Sequence, residues 1–439
     1  MTTWWCEQAW IDDAPVARVR VEESGGRFTA VLPGADPVAG DTRLAGLVLP
    51  GFANAHSHAF HRALRGRTHD EGGTFWTWRE RMYAVAARLD PDTHLALARA
   101  TYAEMALAGV TCVGEFHYLH HGPGGTAYDD PNAMAEALRQ AARDAGIRLT
   151  LLDACYLAGG LTGEGHTRPS PVQQRFSDGS SAAWQRRVER LVPDAGMRVG
   201  AAIHSVRAVP RLELADVARA LPHAPLHAHL SEQWAENEAA LAFYGMTPTE
   251  LLAGADALGP RTTVVHATVG AHLELLGSTG TGVCFCPTTE RDLADGIGPA
   301  RLLADHGSPL CLGSDQNAVI DLLEEARALE MHERLHFLER GRFAPAELVG
   351  VLTVNGHAAL GWPEGGRIAV GAPADLVAVR LDSVRTAGTT PAQAVYAATA
   401  ADVTTVVAGG RTVVDDGRHV LGDVARMLRE AIEPLWRNR

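Results

Sequence analysis

Short apolar runs alternate with longer stretches in which apolar residues recur every three or four positions. The runs fall at 47–56, 111–118, 148–155, 198–204, 225–230, 262–267, 281–286 and 309–314, and each predicts a buried strand. Between them, 91–108, 131–145, 211–221 and 321–339 carry helical spacing. Eight strand–helix alternations imply a parallel sheet closed into a (β/α)8 TIM-like barrel. An open doubly wound sheet is the competing architecture.

Both ends of the chain break this rhythm. Residues 1–46 read as short strands interrupted by Gly and Pro, such as 16–21 and 27–32, and 366–379 and 404–414 read as strands again. Neither end has enough apolar area to stand alone, so the two are expected to pair into one small β-sandwich domain. The expected division is 1–46 and 363–439 for that domain and 47–362 for the barrel, with an amphipathic helix near 421–437. Residues 159–181 are rich in Gly, Pro, Ser and Thr and predict a long loop after the third strand. Barrels often carry a lid there.

The chemistry sits at the predicted strand ends, where a barrel of this class builds its site. Alternate strand residues face one side, so His56 and His58 aim two imidazoles at one point. The run 226–230 ends in His229, with Glu232 just beyond, the run 262–266 ends in His266, and 309–315 ends in Asp315. Any one of these alone reads as a hydrogen-bonded core histidine or a capping aspartate. Together they lie on the first, fifth, sixth and eighth strands and meet only if the sheet closes, which favours the barrel.

Three histidines and an aspartate suit one divalent transition metal ion, zinc first, with iron and manganese as alternatives. Zinc lowers the pKa of a bound water to about 7. Glu232 is the candidate to move a proton to a departing nitrogen. His266 is either a fourth imidazole ligand or stands just outside the metal, and Asp315 can hold the metal through one oxygen and a water through the other. All 39 basic residues are arginine. No lysine is therefore present to bridge two ions, which favours one.

The bulk properties narrow the partners. The chain has 439 residues with 46% hydrophobic and 21% charged positions, ordinary for a soluble globular protein. A net charge of −13 argues against non-specific binding to nucleic acid or an anionic membrane. It leaves room for an anionic small molecule held by local arginines. Six scattered cysteines inside apolar runs read as reduced core residues of a cytoplasmic protein. Cys284-Phe-Cys286 lacks a partner Cys-x-x-Cys and reads as core too. No secretory leader is evident at the start, and no run is apolar enough to span a bilayer.

Pro50-Gly-Phe-Ala-Asn-Ala-His-Ser-His58, the His229/Glu232 pair, His266 and Gly313-Ser-Asp315 resemble the metallo-dependent amidohydrolase superfamily, in particular its mononuclear deaminase branch. Gly371-Ala-Pro-Ala-Asp-Leu-Val377 is similar to the strand that returns to the small domain there. Phe75-Trp-Thr-Trp-Arg-Glu80, Glu115-Phe-His-Tyr-Leu-His-His121 and Ile203-His-Ser-Val-Arg-Ala-Val209 resemble the N-formimino-L-glutamate deiminases of histidine degradation. That resemblance implies hydrolysis of a formimino group to a formyl group with release of ammonia. It implies His56, His58, His229 and Asp315 as metal ligands and Glu232 and His266 as acid/base residues. It also implies Arg79, Tyr118, His204 and Arg207 as substrate contacts, and a homodimer.

One position departs from that family. Where it often carries Gln in Ala-Phe-Gln-Arg, this chain has His61, which can hydrogen-bond an amide or carboxylate but whose charge varies with pH. The arginines fit a substrate with two carboxylates, because a guanidinium binds each one in a planar fork. The competing readings are local. Arg79 can pair with Glu80 or stack on a tryptophan, His204 can be a core histidine, and Tyr118 can be core. The polar residues Glu115, His117, His120 and His121 read as supporting or surface groups.

A deaminase or chlorohydrolase acting on a purine, pyrimidine or triazine ring is the rival activity. It needs stacking faces more than two arginines. A catalytically silent metal-binding scaffold would need the ligands alone, without Glu232 and His266.

Overall fold

A computed structural model describes residues 2–69 and 73–437. Eight parallel strands form the barrel: β1 (Phe52–Ser57), β2 (Val110–His117), β3 (Arg148–Cys155), β4 (Met197–Ile203), β5 (Leu226–Leu230), β6 (Thr262–His266), β7 (Gly282–Phe285) and β8 (Leu310–Leu312). They neighbour one another in chain order. The seam between β8 and β1 closes just beyond the strand ends. His58 N–H donates to the Asp315 carbonyl at 3.0 Å, and Asp315 N–H donates to the His56 carbonyl at 3.0 Å. Asn54 buttresses the seam, accepting from Ser314 N–H at 2.9 Å and donating to Ser314 Oγ at 2.7 Å.

The strand expected at 47–56 is two strands. Thr42–Pro50 belongs to the small sheet, and the barrel begins only at Phe52. The break falls at Gly51, where a Cβ would lie 2.2 Å from Thr111 Oγ1 and 2.7 Å from Asp375 Cβ. Hydropathy misses this break because Leu47–Pro50 and Phe52–Ser57 are buried alike.

Both ends of the chain supply the second sheet. Thr2–Ile11, Ala14–Ser24, Arg27–Leu32 and Thr42–Pro50 join Leu376–Val379, Val403–Ala408, Arg411–Asp415 and Arg418–His419. The two groups meet where 47–50 pairs antiparallel with 376–379. The sheet curls until Phe28 N–H reaches the Ala372 carbonyl at 3.0 Å. The resulting sandwich encloses Trp4, Cys6, Val21, Phe28, Val48 and Leu376.

Helices cover the barrel. Pro91–Leu107 starts with Pro91 after a capping Asp90, whose carboxylate accepts from Thr93 N–H at 2.8 Å. The terminal helix Val424–Trp436 packs on it through Val424, Leu428, Ile432 and Leu435, one apolar stripe. Trp436 Nε1 donates to the Ala63 carbonyl at 2.9 Å. No helix among the described residues is long and apolar enough to cross a membrane. All six cysteines are buried free thiols.

One buried ion pair ties sandwich to barrel. Arg148, at the start of β3, forks onto both oxygens of Asp375. The same carboxylate accepts from Gly409 N–H at 2.8 Å and Thr111 Oγ1 at 3.3 Å. Asp375→Asn leaves the Arg148 guanidinium buried without its counter-charge. The expected loss is about 3–5 kcal/mol of unfolding free energy, read from the denaturant midpoint at unchanged slope.

Candidate active site

β1 carries His56 and His58 with one residue between, so both imidazoles point into the mouth of the barrel. Their orientation is set from behind. His58 Nδ1 donates to the Phe116 carbonyl at 2.8 Å, and His229 Nδ1 donates to the His204 carbonyl at 2.7 Å, which turns both Nε2 atoms inward. His229 Nε2 lies 3.2 Å from His56 Nε2. Asp315 Oδ1 lies 3.3 Å from His56 Nε2 and 3.4 Å from His58 Nε2. The ligand atoms of His56, His58, His229 and Asp315 all fall within 4.8 Å of one another.

Burial keeps these rings neutral: it lowers His229 well below the ordinary range and takes His56 to about 3. Neutral imidazoles present lone pairs, and several lone pairs facing one carboxylate oxygen are poorly satisfied by each other. A divalent cation satisfies them together, so the donor set fits the metal that the strand pattern predicts.

His266 stands apart from that group, in a second one with Asp315 and Cys286. Its Nδ1 is 3.3 Å from Glu290 Oε1, and its Nε2 is 3.8 Å from both Glu232 Oε1 and Asp315 Oδ2. Burial by itself would lower its pKa. The Glu232, Glu290 and Asp315 carboxylates outweigh burial and push it up to about 10. His266 and Asp315 also hold positive φ angles of 75° and 42°. Non-glycine residues in that region are strained by roughly 1–3 kcal/mol, a cost commonly found at functional sites.

A cavity of about 330 Å³ opens above the cluster. Its wall includes every expected substrate contact: His61, Arg79, Tyr118, His204 and Arg207. The Arg79 guanidinium lies 4.5 Å from the Trp76 ring centre and 5.5 Å from that of Tyr83. Stacking on a tryptophan and facing the cavity are therefore both true of it. Arg207 Nη2 donates to Glu232 Oε2 at 3.2 Å. His61 Nε2 and Tyr118 Oη share a 2.7 Å hydrogen bond. The His204 ring packs 4.6 Å from Tyr156 and 5.4 Å from Tyr118. Burial holds His61 and His204 well below the usual histidine range. Burial thus works against the pH-variable charge expected of His61.

The long excursion after β3 is structured. Gly160–Thr162 and Gly165–Thr167 form a hairpin, and Gly160, Leu161, Thr162 and Thr167 rim the cavity. Gln173 Nε2 fastens the segment by donating to Tyr156 Oη at 2.6 Å and the Gly159 carbonyl at 2.8 Å.

Sequence reasoning missed three carboxyls. Glu290 orients His266 from the helix after β7, and Glu236 lies one turn beyond Glu232 on the helix after β5. Burial lifts Glu236 to about 6, against the pull of Arg207. Asp153 on β3 accepts from Arg187 Nη1 and Nη2 and from Trp184 Nε1, each at 2.9 Å. Its oxygens are filled, and the nearby His120 Nε2, 3.8 Å from Asp153 Oδ1, bonds instead to the Ala154 carbonyl at 2.9 Å. His117 and His120, with Glu115 and His121, are all buried rather than surface groups. Only the Ser-Glu-x-x-x-Glu spacing, two acids four residues apart, could have flagged Glu236.

The amidohydrolase family model matches residues 47–413. A formimidoylglutamate deiminase of Pseudomonas aeruginosa is 35% identical, covering 95% of this chain and 96% of its own. An 8-oxoguanine deaminase of the same organism is 30% identical, covering 84% and 83%. The crystal structure of an amidohydrolase from Brucella melitensis superposes over 100% of both chains with a TM-score of 0.91 and 32% identity.

Two outcomes follow from the geometry. His229→Asn removes one of four converging donors and should lower retained divalent metal after dialysis by at least about tenfold, measured by elemental analysis. Glu115 is buried, accepts from Ala59 N–H at 2.7 Å, and burial pushes its carboxyl up to about 8. A carboxyl whose folded pKa is raised stabilises the fold while protonated and loses that contribution as pH climbs from its unfolded value toward 8. Glu115→Gln should therefore gain stability relative to the native protein between pH 5 and pH 8, by at least about 1 kcal/mol, in paired denaturation curves.

Proposed function

This chain belongs to the amidohydrolase family, hydrolases of C–N bonds, and within it we propose that it converts N-formimino-L-glutamate and water to N-formyl-L-glutamate and ammonia in histidine degradation. The observation that carries this reading is the pair of guanidinium groups, Arg79 and Arg207, that line the cavity beside the His/Asp cluster. A glutamate-derived substrate presents two carboxylates, and two arginines match them in number and in fork geometry.

In this reading His56, His58, His229 and Asp315 hold a single zinc ion. Such an ion supplies a water acidified to a pKa of about 7. Glu232 sits where a carboxylate can take a proton on Oε1 and return it to the departing nitrogen as ammonia leaves. His266, kept cationic by its three carboxylate neighbours, offers Nε2 as a donor toward the polarised carbon's nitrogen or oxygen. Asp315 combines ligation through Oδ1 with an acceptor at Oδ2 that faces His266. Arg79 and Arg207 grip the carboxylates, and His61, Tyr118 and His204 supply hydrogen bonds and shape. The Trp76, Tyr83, Tyr156 and Phe176 rings give the pocket an aromatic lining.

The same aromatic wall favours a second reading, deamination of a heteroaromatic ring, as the 8-oxoguanine deaminase relative does. Ammonia release decides between them. Formiminoglutamate should turn over and 8-oxoguanine, guanine, cytosine and adenosine should not; turnover of a ring alone would overturn the assignment. Glu232→Gln should retain metal while kcat falls by about 10²–10⁴-fold, and full activity in that variant would remove Glu232 from proton transfer.

A further inference from the structure

The Arg207 guanidinium lies between Glu232, in the loop after β5, and Glu236, in the first turn of the helix Trp234–Tyr244. Its Nη2 donates to Glu232 Oε2 at 3.2 Å, and its Nε lies 3.6 Å from Glu236 Oε2. Glu236 is buried, and neither of its oxygens has a hydrogen-bond partner. Glu232 is shared: Oε2 belongs to Arg207, while Oε1 faces His266 Nε2 at 3.8 Å. The acid proposed to move protons is thus clasped by the arginine proposed to bind substrate. A carboxylate held in this way cannot swing freely.

We propose that Arg207 is a substrate-operated clasp on Glu232, which a carboxylate entering the cavity releases by taking over the Nη edge of the guanidinium. Glu236, fixed one turn further along and facing Nε, keeps Arg207 in place while this exchange occurs. Charge is conserved at the clasp, because one carboxylate replaces another on the same cation. Glu232 is then free to turn toward the departing nitrogen. The consequence is selectivity expressed in turnover. A molecule with the reactive formimino group but no carboxylate at this end binds beside a Glu232 that is still held. Substrate binding energy is thereby spent on organising the proton carrier, which raises kcat for the correct substrate alone.

The inference rests on the dicarboxylate reading of the pocket, and two measurements separate their failures. The first is a crystal structure of the metal-loaded protein with glutarate, an unreactive dicarboxylate. A glutarate carboxylate on Arg207 with Glu232 Oε2 moved beyond hydrogen-bond reach is the expected result. Glutarate bound on Arg207 with the Glu232 contact intact overturns the clasp and leaves the functional assignment standing, and failure of glutarate to bind removes both. A parted clasp together with no turnover of formiminoglutamate overturns the assignment alone.

The second measurement compares formiminoglutamate with its α- and γ-monoamides. In the native enzyme the amide that silences the Arg207 end should lower kcat by about tenfold or more, part of the 10²–10⁴ that a positioned acid contributes, in addition to raising KM. In Arg207→Met, where Glu232 is unclasped throughout, that kcat difference should vanish while KM stays high. A carboxylate effect confined to KM in the native enzyme overturns the proposal without recourse to the variant.

Discussion

The barrel is closed by three of the four residues of its His/Asp cluster. The amides and carbonyls of His56, His58 and Asp315 exchange the hydrogen bonds that join the last strand end to the first. Their side chains turn inward from that seam to converge on one point. Closure and ligand geometry are therefore one constraint. An open sheet would separate β1 from β8 by its full width and leave Asp315 far from both histidines. Asn54 and Ser314 lock the register of the seam, and Asn317 Nδ2 adds a 3.0 Å bond to the His58 carbonyl. A slip of one residue at this seam would turn His56 and His58 away from Asp315.

The second organising principle is the handling of buried charge. Arg148 with Asp375, Arg187 with Asp153 and Asp178, and Arg207 with Glu232 and Glu236 all place a guanidinium against carboxylates out of water. The first joins the sandwich to the barrel. The second braces the loops after β2 and β3, which carry Tyr118 and Tyr156. The third reaches the cavity. Of these three groups, the third alone leaves carboxylate acceptors without a hydrogen-bond partner, at Glu236, where a ligand is expected to enter.

The periodicity that marks eight strands and the helices between them is legible because barrel strands are buried throughout and their helices are amphipathic. The cluster His56, His58, His229 and Asp315 is legible for a related reason: a polar residue ending an apolar run is conspicuous. The break at Gly51 escapes the same reading, since two buried strands with one residue between them have a continuous apolar pattern. Glu290, Glu236 and Asp153 escape it because an acid on a helix or mid-strand looks like an ordinary solvated or capping group until packing removes its water. The protonation of His61 is likewise set by enclosure, which no local motif records.

Trp436 and Ala63 are 373 positions apart, yet the indole of one holds the backbone of the other. Ala63 belongs to the short helical turn 59–64 that leads directly out of His58 and bears His61. In synthesis that turn precedes its anchor by 373 residues, so the bond that steadies it forms only once Trp436 has been made. The stretch that leaves His58 and bears His61 is thus steadied by the far end of the sequence rather than by its neighbours in the chain.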